Sequence, residues 1–522
     1  MGGTVPVVRG REVDQRDAAR YHAAGWWGNV TLSACVASHA ATRPGASAFV
    51  TPTQRTSWAD YDEAAARVAG ALLGAGVTPG ERVAVVLADG PDVHAVFVGA
   101  ERAGAVVVGI GARAGERELA HLVGRTGALL AVTDREDVPV PRRLTLEAAL
   151  RGPRLRASEA VGIGPDELFL LNSTSGTTGL PKCVMHTQNR WFYFHQLAVE
   201  AGELGAADVF LSAIPAPFGF GLWTAHFTPA ILGSPTVVAE RFDAGVTLDL
   251  IERERVTVLA CVSTQFIMML EEQAARPRDL SSLRAMFTGG EAVPYERAAE
   301  FEDRTGALVL QFYGSNETGA LSRTTTADTR DRRLRTAGRV IDDMHVRLFD
   351  ETGVDVTSGG GPAVPACRGP ATCIGYWDDD DANAALLTDD GWMLMGDIVE
   401  IDPEGYVRVV GRVSDFIIRG GKNISAPAVE EEIGTHPGVA VAAAVGVPDE
   451  VFGERVCVVV EVRPGWERLS LDDLRVHLHD RGVTKEWWPE RLVVVEALPR
   501  SSGGKVAKGE LRRRAVDGTL GA

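Results

Sequence analysis

Apolar residues along the chain keep two spacings. Short β-branched runs predict buried strands at Arg82–Leu87 (RVAVVL), Ala105–Ile110 (AVVVGI), Leu129–Thr133 and Leu168–Leu171. Between them, residues spaced for one helical face predict helices over Ala64–Gly74 and Ala95–Ala103. Strand and helix in turn predict a mostly parallel sheet covered on both faces. The alternation resumes with a helix carrying Trp191, Phe192 and Tyr193, a strand at Val256–Cys261 and a helix through Met268–Glu272. Strands follow at Ala285–Phe287 and Leu308–Phe312, then at Val441–Val445, Val456–Val462 and Arg491–Val495, with a helix at Leu471–His479. One stretch breaks the pattern. In Leu211–Phe227 (LSAIPAPFGFGLWTAHF) two prolines and two glycines among large aromatics predict an irregular segment.

At 522 residues the chain is long enough for more than one domain and a large core. Its formal charge of −17 argues against nucleic acid or an anionic membrane as main partner. The six cysteines form no CxxC pair and no Cys/His ligand spacing, so they read as small buried apolar residues. The first thirty residues are charged, carry Trp26 and Trp27, and lack the apolar centre of a signal peptide. No uninterrupted apolar run reaches spanning length, and a cytoplasmic location is expected.

The chemistry gathers first in LLNSTSGTTGLPKCVMHTQ, directly after a predicted strand. Ser173, Thr174, Ser175, Gly176, Thr177, Thr178 and Gly179 crowd hydroxyls and glycines ahead of Pro181 and Lys182. Such a loop can turn backbone N–H groups and short hydroxyls toward phosphate oxygens, and Lys182 can add charge. It lacks the Gly-x4-Gly-Lys-Ser/Thr spacing of a Walker loop. Gly289-Gly290-Glu291 also follows a strand, where paired glycines let a flat ligand approach the backbone; read alone it is a tight turn. Tyr313-Gly314-Ser315-Asn316-Glu317 closes another strand, and strand ends are where open α/β sheets place ligands. Next come Arg368-Gly369-Pro370, Gly375-Tyr376-Trp377 and DGWMLMGD, ending at Asp397. Gly411-Arg412-Val413-Ser414-Asp415 and IIRGGKNI (Ile417 to Ile424) follow, and LPRSSGGKVAK (Leu498 to Lys508) opens a basic tail.

In this order the stretches resemble the motifs of the adenylate-forming superfamily: acyl-CoA synthetases, adenylation domains of peptide synthetases, and luciferases. The resemblance implies an α/β fold with a large N-terminal domain of layered sheets, residues 1–411. It implies a smaller, mobile α+β C-terminal domain, residues 412–522, hinged near Ser414. Ser173 to Gly179 and Lys182 would hold the phosphates of ATP. Gly290, Glu291 and Tyr313 would hold the adenine. Gly314, Ser315 and Asn316 would adjoin the nucleotide, and Asp397 and Arg412 would take the ribose. Glu317 would hold Mg²⁺. Lys505 matches the lysine that bridges the substrate carboxylate and the α-phosphate, and with Glu317 and Lys182 makes the catalytic set. Gly420 and Gly421 would let the pantetheine arm of coenzyme A pass.

Phe218, Gly219, Phe220 and Trp223, with Gly289, would line the acyl pocket. The run Phe218 to Leu222 is similar to that of benzoate and other cyclic-acid CoA ligases. Gly219 stands where amino-acid-activating relatives keep an Asp, so no carboxylate awaits an ammonium group. Two departures fall near the nucleotide: Asn316 and Met395 each replace a Thr of the family pattern. Pro427 comes one place late, and Ala428 stands where Glu is common.

The expected activity is an acid–thiol ligase that forms an acyl-AMP and then an acyl-CoA, without nucleic acid or membrane, as a monomer or homodimer. The expected acid is hydrophobic and cyclic or polycyclic, a terpenoid acid of a bacterial natural-product (antibiotic) pathway being one guess. Two alternatives stay open. Asn316 and Met395 could confine the enzyme to thioesterifying an acyl-AMP made by a separate adenylating enzyme, or the acceptor could be a carrier protein.

Overall fold

The computed structural model of the chain describes residues 15–156, 159–173, 181–290, 293–350, 352–359, 361–412, 416–419, 422–449, 451–500 and 506–520. Among these, two large sheets stand out. One runs edge to edge Gly375–Tyr376, Cys183–Thr187, Leu168–Ser173, Val106–Gly109, Arg82–Val85, Leu130–Val132, Arg142–Leu144. It is parallel except at Cys183–Thr187, which pairs antiparallel with both neighbours. The other runs Arg339–Val340, Gly319–Arg323, Leu308–Ser315, Ala285–Gly289, Val258–Ala260, Phe210–Ser212, Thr236–Val237, Ser47–Val50, Arg55–Ser57. Its six central members, from Leu308–Ser315 to Ser47–Val50, are parallel.

Strand side chains alternate faces, and the cores record this. Val83, Val85, Val107 and Leu170 join Val258, Ala285, Phe287 and Leu310 of the other sheet in one large core. The helices Trp58–Gly74, Pro91–Arg102 and Gln188–Gly202 also contribute to that core. Ala84, Val106, Val108 and Leu171 point the opposite way, onto the helix Glu116–Thr126. Leu259, Met286 and Val309 likewise pack onto the outer helices Ala244–Glu254, Ser263–Ala275 and Tyr295–Thr305. The result is helix, sheet, helix, sheet, helix, as layered α/β patterning requires. Ser57 opens the helix Trp58–Gly74 with a reciprocal capping box to Asp60. That helix meets Pro91–Arg102 at Gly99, where a Cβ would stand 2.7 Å from Val68.

The strands and helices expected from periodicity are present, with ends shifted by a few residues. The segment Leu211–Phe227 differs. From Gly219 it is helical: Gly219–Gly221, a π-helical turn Leu222–Phe227, then Thr228–Leu232. Leu222, Trp223, Ala225 and Phe227 are all buried in the central core, and that burial overrides the local breakers. Gly221 is needed there, because a Cβ would lie 2.1 Å from Pro215 O.

Beyond Arg412 the strands Phe416–Arg419, Lys422–Ser425, Val439–Asp449, Gly453–Val462 and Arg491–Val495 form their own sheet. Val456, Val458 and Val460 face the helices Ala426–Gly434 and Leu471–Asp480, while Cys457 and Val459 face Lys508–Val516. Among the described residues no helix is long and apolar enough to cross a membrane.

Candidate functional site

Ser173, Gly289 and Tyr313 lie at or near the carboxyl ends of parallel-paired strands. Tyr313 lies near the end of Leu308–Ser315. Asp397 opens the strand Asp397–Ile401 and sits directly opposite Arg412 of Val407–Arg412. The Tyr313 hydroxyl donates to Asp397 Oδ2 at 3.0 Å, and Arg412 Nε donates to Asp397 Oδ1 at 2.9 Å. Burial and the Asp397 carboxylate hold the Tyr313 phenol protonated, well above its ordinary value. A carboxylate fixed through both oxygens still has lone pairs for vicinal hydroxyls. Met395, two residues earlier, is buried in the central core.

A second corner forms around Glu317. The hydroxyl of Tyr376 donates to Glu317 Oε1 at 2.6 Å, and Lys182 Nζ stands 4.8 Å from the centre of the Tyr376 ring. Lys182 and Glu317, 135 positions apart in the sequence, thus share one tyrosine. Tyr376 sits on the edge strand Gly375–Tyr376, whose register against Cys183–Thr187 places it opposite Val184. It was legible only as part of a matching triplet, without a role. The turn itself is self-braced: Ser315 N donates to Thr318 Oγ1 at 2.9 Å and Glu317 N to Ser315 Oγ at 3.2 Å. At Gly314 a Cβ would lie 1.7 Å from Gly319 O, so no other residue fits.

Joined to the backbone of the Glu317 turn is a polar chain that pattern reading missed. Arg190 donates to Ala371 O at 2.9 Å, to Asn316 O at 3.0 Å and to Glu317 O at 3.3 Å. It also reaches His186 Nδ1 at 2.6 Å. His186 Nε2 stands 2.7 Å from Asn172 Oδ1, which also accepts from Asn316 Nδ2 at 2.7 Å. Asn172 Nδ2 donates to Pro217 O at 3.2 Å and back to Asn316 Oδ1 at 3.3 Å. Arg190, His186 and Asn172 are each at most 2% exposed. Burial lowers Arg190 only to about 10, so it stays charged at neutral pH. Burial, and then the guanidinium beside it, hold His186 neutral. The signal in the sequence was an Asn inside an apolar strand, and a His and an Arg four residues apart.

Phe218, Gly219 and Phe220 are half-buried. Trp223 lies behind them, stacked on Phe220 at 5.5 Å and buried among Phe194, Phe287 and Phe312. At Gly219 a Cβ would stand 2.7 Å from Asn316 Oδ1 and 3.3 Å from Trp191. Gly289 is buried against Phe312 O, and Gly290 turns with φ 79°. Below the segment, Asp89 accepts backbone N–H groups of Ala216 and Gly90, and burial pushes its carboxyl up to about 7. His94 and His226, ring nitrogens 2.9 Å apart, are buried beside it.

Of the expected site residues, Thr174, Ser175, Gly176, Thr177, Thr178, Gly179, Glu291, Ser414, Gly420, Gly421 and Lys505 lie outside the described residues. Ser173 is the last residue of Leu168–Ser173 and pairs with Cys183, so both ends of the hydroxyl-rich loop are anchored in one sheet.

The AMP-binding enzyme family matches residues 36–377, and the AMP-binding enzyme C-terminal domain matches residues 428–505. A 2-hydroxy-7-methoxy-5-methyl-1-naphthoate–CoA ligase of Streptomyces carzinostaticus is 33% identical over 95% of this chain and 95% of its own length. A medium-chain fatty-acid–CoA ligase of Escherichia coli is 29% identical over 96% of this chain and 93% of its own. Among solved structures, ATP-bound MatB from Rhodopseudomonas palustris superposes with a TM-score of 0.83 at 26% identity, covering 94% of this chain and all of that one. The chain belongs to the AMP-binding enzyme family, within the adenylate-forming superfamily.

Proposed function

From that membership we propose that the protein joins a carboxylic acid to coenzyme A by way of an acyl adenylate. A free carboxylate is a poor acyl donor, because oxide would have to leave; as a mixed anhydride with AMP its leaving group is a phosphate. The observation that carries the proposal is the convergence of Tyr313, Asp397 and Arg412 in one corner with Lys182 and Glu317 in the next. In the first half-reaction a carboxylate oxygen attacks the α-phosphorus in line and pyrophosphate departs. The hydroxyl-rich loop and Lys182 neutralise the departing charge, and Lys505 the attacking oxygens. Little proton transfer is required, so positioning and electrostatics do most of the catalysis.

Magnesium fits this site. A hard cation of its size takes one or two carboxylates and completes its shell with phosphate oxygens. Glu317 offers a carboxylate held in place by Tyr376. When bound, the ion would supply charge neutralisation on the polyphosphate. We place the domain division at 411/412 and the hinge at Ser414. In the second half-reaction the C-terminal domain turns there, withdraws Lys505 and brings Gly420 and Gly421 to the thiol path.

The half-buried Phe218 and Phe220 around a Gly at position 219 suit a bulky apolar ring system, and a polycyclic terpenoid acid falls within that class. The naphthoate named for the Streptomyces carzinostaticus relative supports a cyclic acid. One observation favours a second reading. The Asn316 amide is paired with Asn172, where the family pattern has a hydroxyl for the α-phosphate. An enzyme confined to the second half-reaction would take its acyl-AMP from elsewhere. Acid-dependent pyrophosphate release from ATP and Mg²⁺, set beside acyl-CoA formation from a synthetic acyl-AMP, tests both readings. Activity in both assays supports the complete ligase; activity only from the adenylate supports the second reading. Failure of CoA to accept the acyl group, with transfer to a carrier protein, overturns the acceptor.

A further inference from the structure

The hydrogen bonds around Asn316 have only one consistent direction. Arg190 can only donate, so His186 Nδ1 accepts and its proton sits on Nε2. Nε2–H then donates to Asn172, which places Oδ1 of that amide toward His186. Asn172 Nδ2 therefore faces Pro217 O and Asn316 Oδ1, while Asn172 Oδ1 takes the Asn316 N–H. Flipping Asn172 would set N–H against N–H at His186 and oxygen against oxygen at Pro217, and flipping Asn316 would set like against like at both atoms of Asn172. Asn172 is thus fully used: two N–H groups given, two bonds accepted.

Asn316 is not fully used. Its Oδ1 accepts one bond, at 3.3 Å, and keeps a lone pair. That oxygen stands 2.7 Å from where a Cβ at position 219 would be. Gly219 has no side chain to crowd that oxygen, and Asn316 is half-buried. The surrounding side chains, Trp191, Phe218 and Phe220, are aromatic. We infer that Asn316 Oδ1, clamped by Asn172 and uncovered by Gly219, is a neutral hydrogen-bond acceptor in the acyl pocket that selects cyclic acids bearing a hydroxyl near the carboxyl group. This rests on the reading of Phe218, Gly219 and Phe220 as part of the acyl pocket of a ligase.

Chemistry narrows the substituent. A neutral amide oxygen suits a neutral donor, and no carboxylate stands at 219 to offset an ammonium group. A hydroxyl buried among the aromatic rings without this partner would lose its hydrogen bond to water. A methyl ether at the same place has no hydrogen to give and adds bulk against Oδ1. Gly219 and Asn316 then act as a pair: the missing side chain at one position makes room for the acceptor at the other.

The test uses the full-length protein and matched acids: cyclohexanecarboxylic and 1-naphthoic acids, their ring-hydroxylated forms at the two carbons nearest the carboxyl-bearing one, and the corresponding methyl ethers. Each acid is read by kcat/KM for thioester formation, from the acid or from its synthetic adenylate, and by calorimetric affinity. The expected result is a preference for at least one hydroxyl acid over both its parent and its ether of about tenfold, the size of one neutral hydrogen bond. Asn316→Leu and Asn172→Leu should each collapse that ratio toward one whatever their absolute rates, and Gly219→Ala should do the same by crowding the oxygen. Equal values across the series in the wild type, or a preference that survives in Asn316→Leu, overturn the inference. Should no thioester form from any acid or adenylate, the ligase reading fails while the affinity ratios still decide for or against the acceptor.

Discussion

The hydroxyl of Tyr376 lies 2.6 Å from Glu317 Oε1, and the same ring carries Lys182 on its face at 4.8 Å. One phenol thus orients both charged groups proposed to meet the polyphosphate. Burial and the Glu317 carboxylate keep that phenol protonated, so it acts as a donor across the working pH range. Tyr376→Phe keeps the ring and removes the donor. The adenylation rate should fall about tenfold to a hundredfold, the size of one lost hydrogen bond to a charged group, with thioesterification of a supplied acyl-AMP unchanged. Parallel pyrophosphate-release and acyl-CoA assays check this; equal losses in both would reject the assignment.

Asp397→Asn tests the ribose corner. The amide keeps one oxygen but places an NH₂ against either Arg412 or Tyr313. ATP and AMP affinity should drop by about tenfold to a hundredfold, the worth of a charge-assisted pair. Calorimetry with AMP reads the loss without any turnover.

Asn316→Thr restores the hydroxyl of the family pattern and vacates the amide pair with Asn172. If the amide suppresses adenylation, acid-dependent pyrophosphate release should rise at least tenfold while acyl-AMP use changes little. No rise would show that Asn316 is tolerated in the first half-reaction.

Arg190→Met removes the donor that satisfies the carbonyls of Ala371, Asn316 and Glu317 inside the protein. Each orphaned carbonyl carries a desolvation cost, and the fold should lose roughly 3 kcal/mol or more. Chemical denaturation at neutral pH measures it; a loss below about 1 kcal/mol would mean that water replaces the guanidinium.

Asp89 gives a pH signature. Burial raises its carboxyl from 3.8 to about 7, so between these values the folded state binds a proton that the unfolded state has released. Its contribution to stability therefore falls as pH rises from about 4 to 7, and the loss is complete above the folded value. His94, lowered by burial to about 3, and His226, held well below its ordinary value by burial, give slopes of the opposite sign. Those slopes are shared with Asp89→Asn and cancel in the comparison. The variant should gain stability relative to the wild type as pH rises from 4.5 to 7.5, and a pH-independent difference would contradict the burial effect.

Much of the site was written in short local patterns. Tyr313, Glu317, Asp397, Arg412 and Lys182 stand in motifs of a few residues at strand ends, and a local motif survives in the sequence as it does in the fold. The helix from Gly219 was not legible, because its glycines and prolines argue for a loop. Only the burial of Leu222, Trp223 and Phe227 between two sheets outweighs them. Sequence reading could not show that the Met395 side chain is buried in the central core.

By itself the sequence determined the alternation of strand and helix and the residue types at each strand end, since strand period, helix period and turn chemistry are properties of neighbours along the chain. The tertiary structure alone decided which partners those residues have. Asn172 and Asn316 are 144 positions apart, Tyr376 and Glu317 are 59 apart, and Arg190 reaches Ala371 across 181. No periodicity encodes such meetings: they follow from how two sheets and the helices between them close-pack, which turns buried polar groups toward whichever donors and acceptors the packing brings within reach.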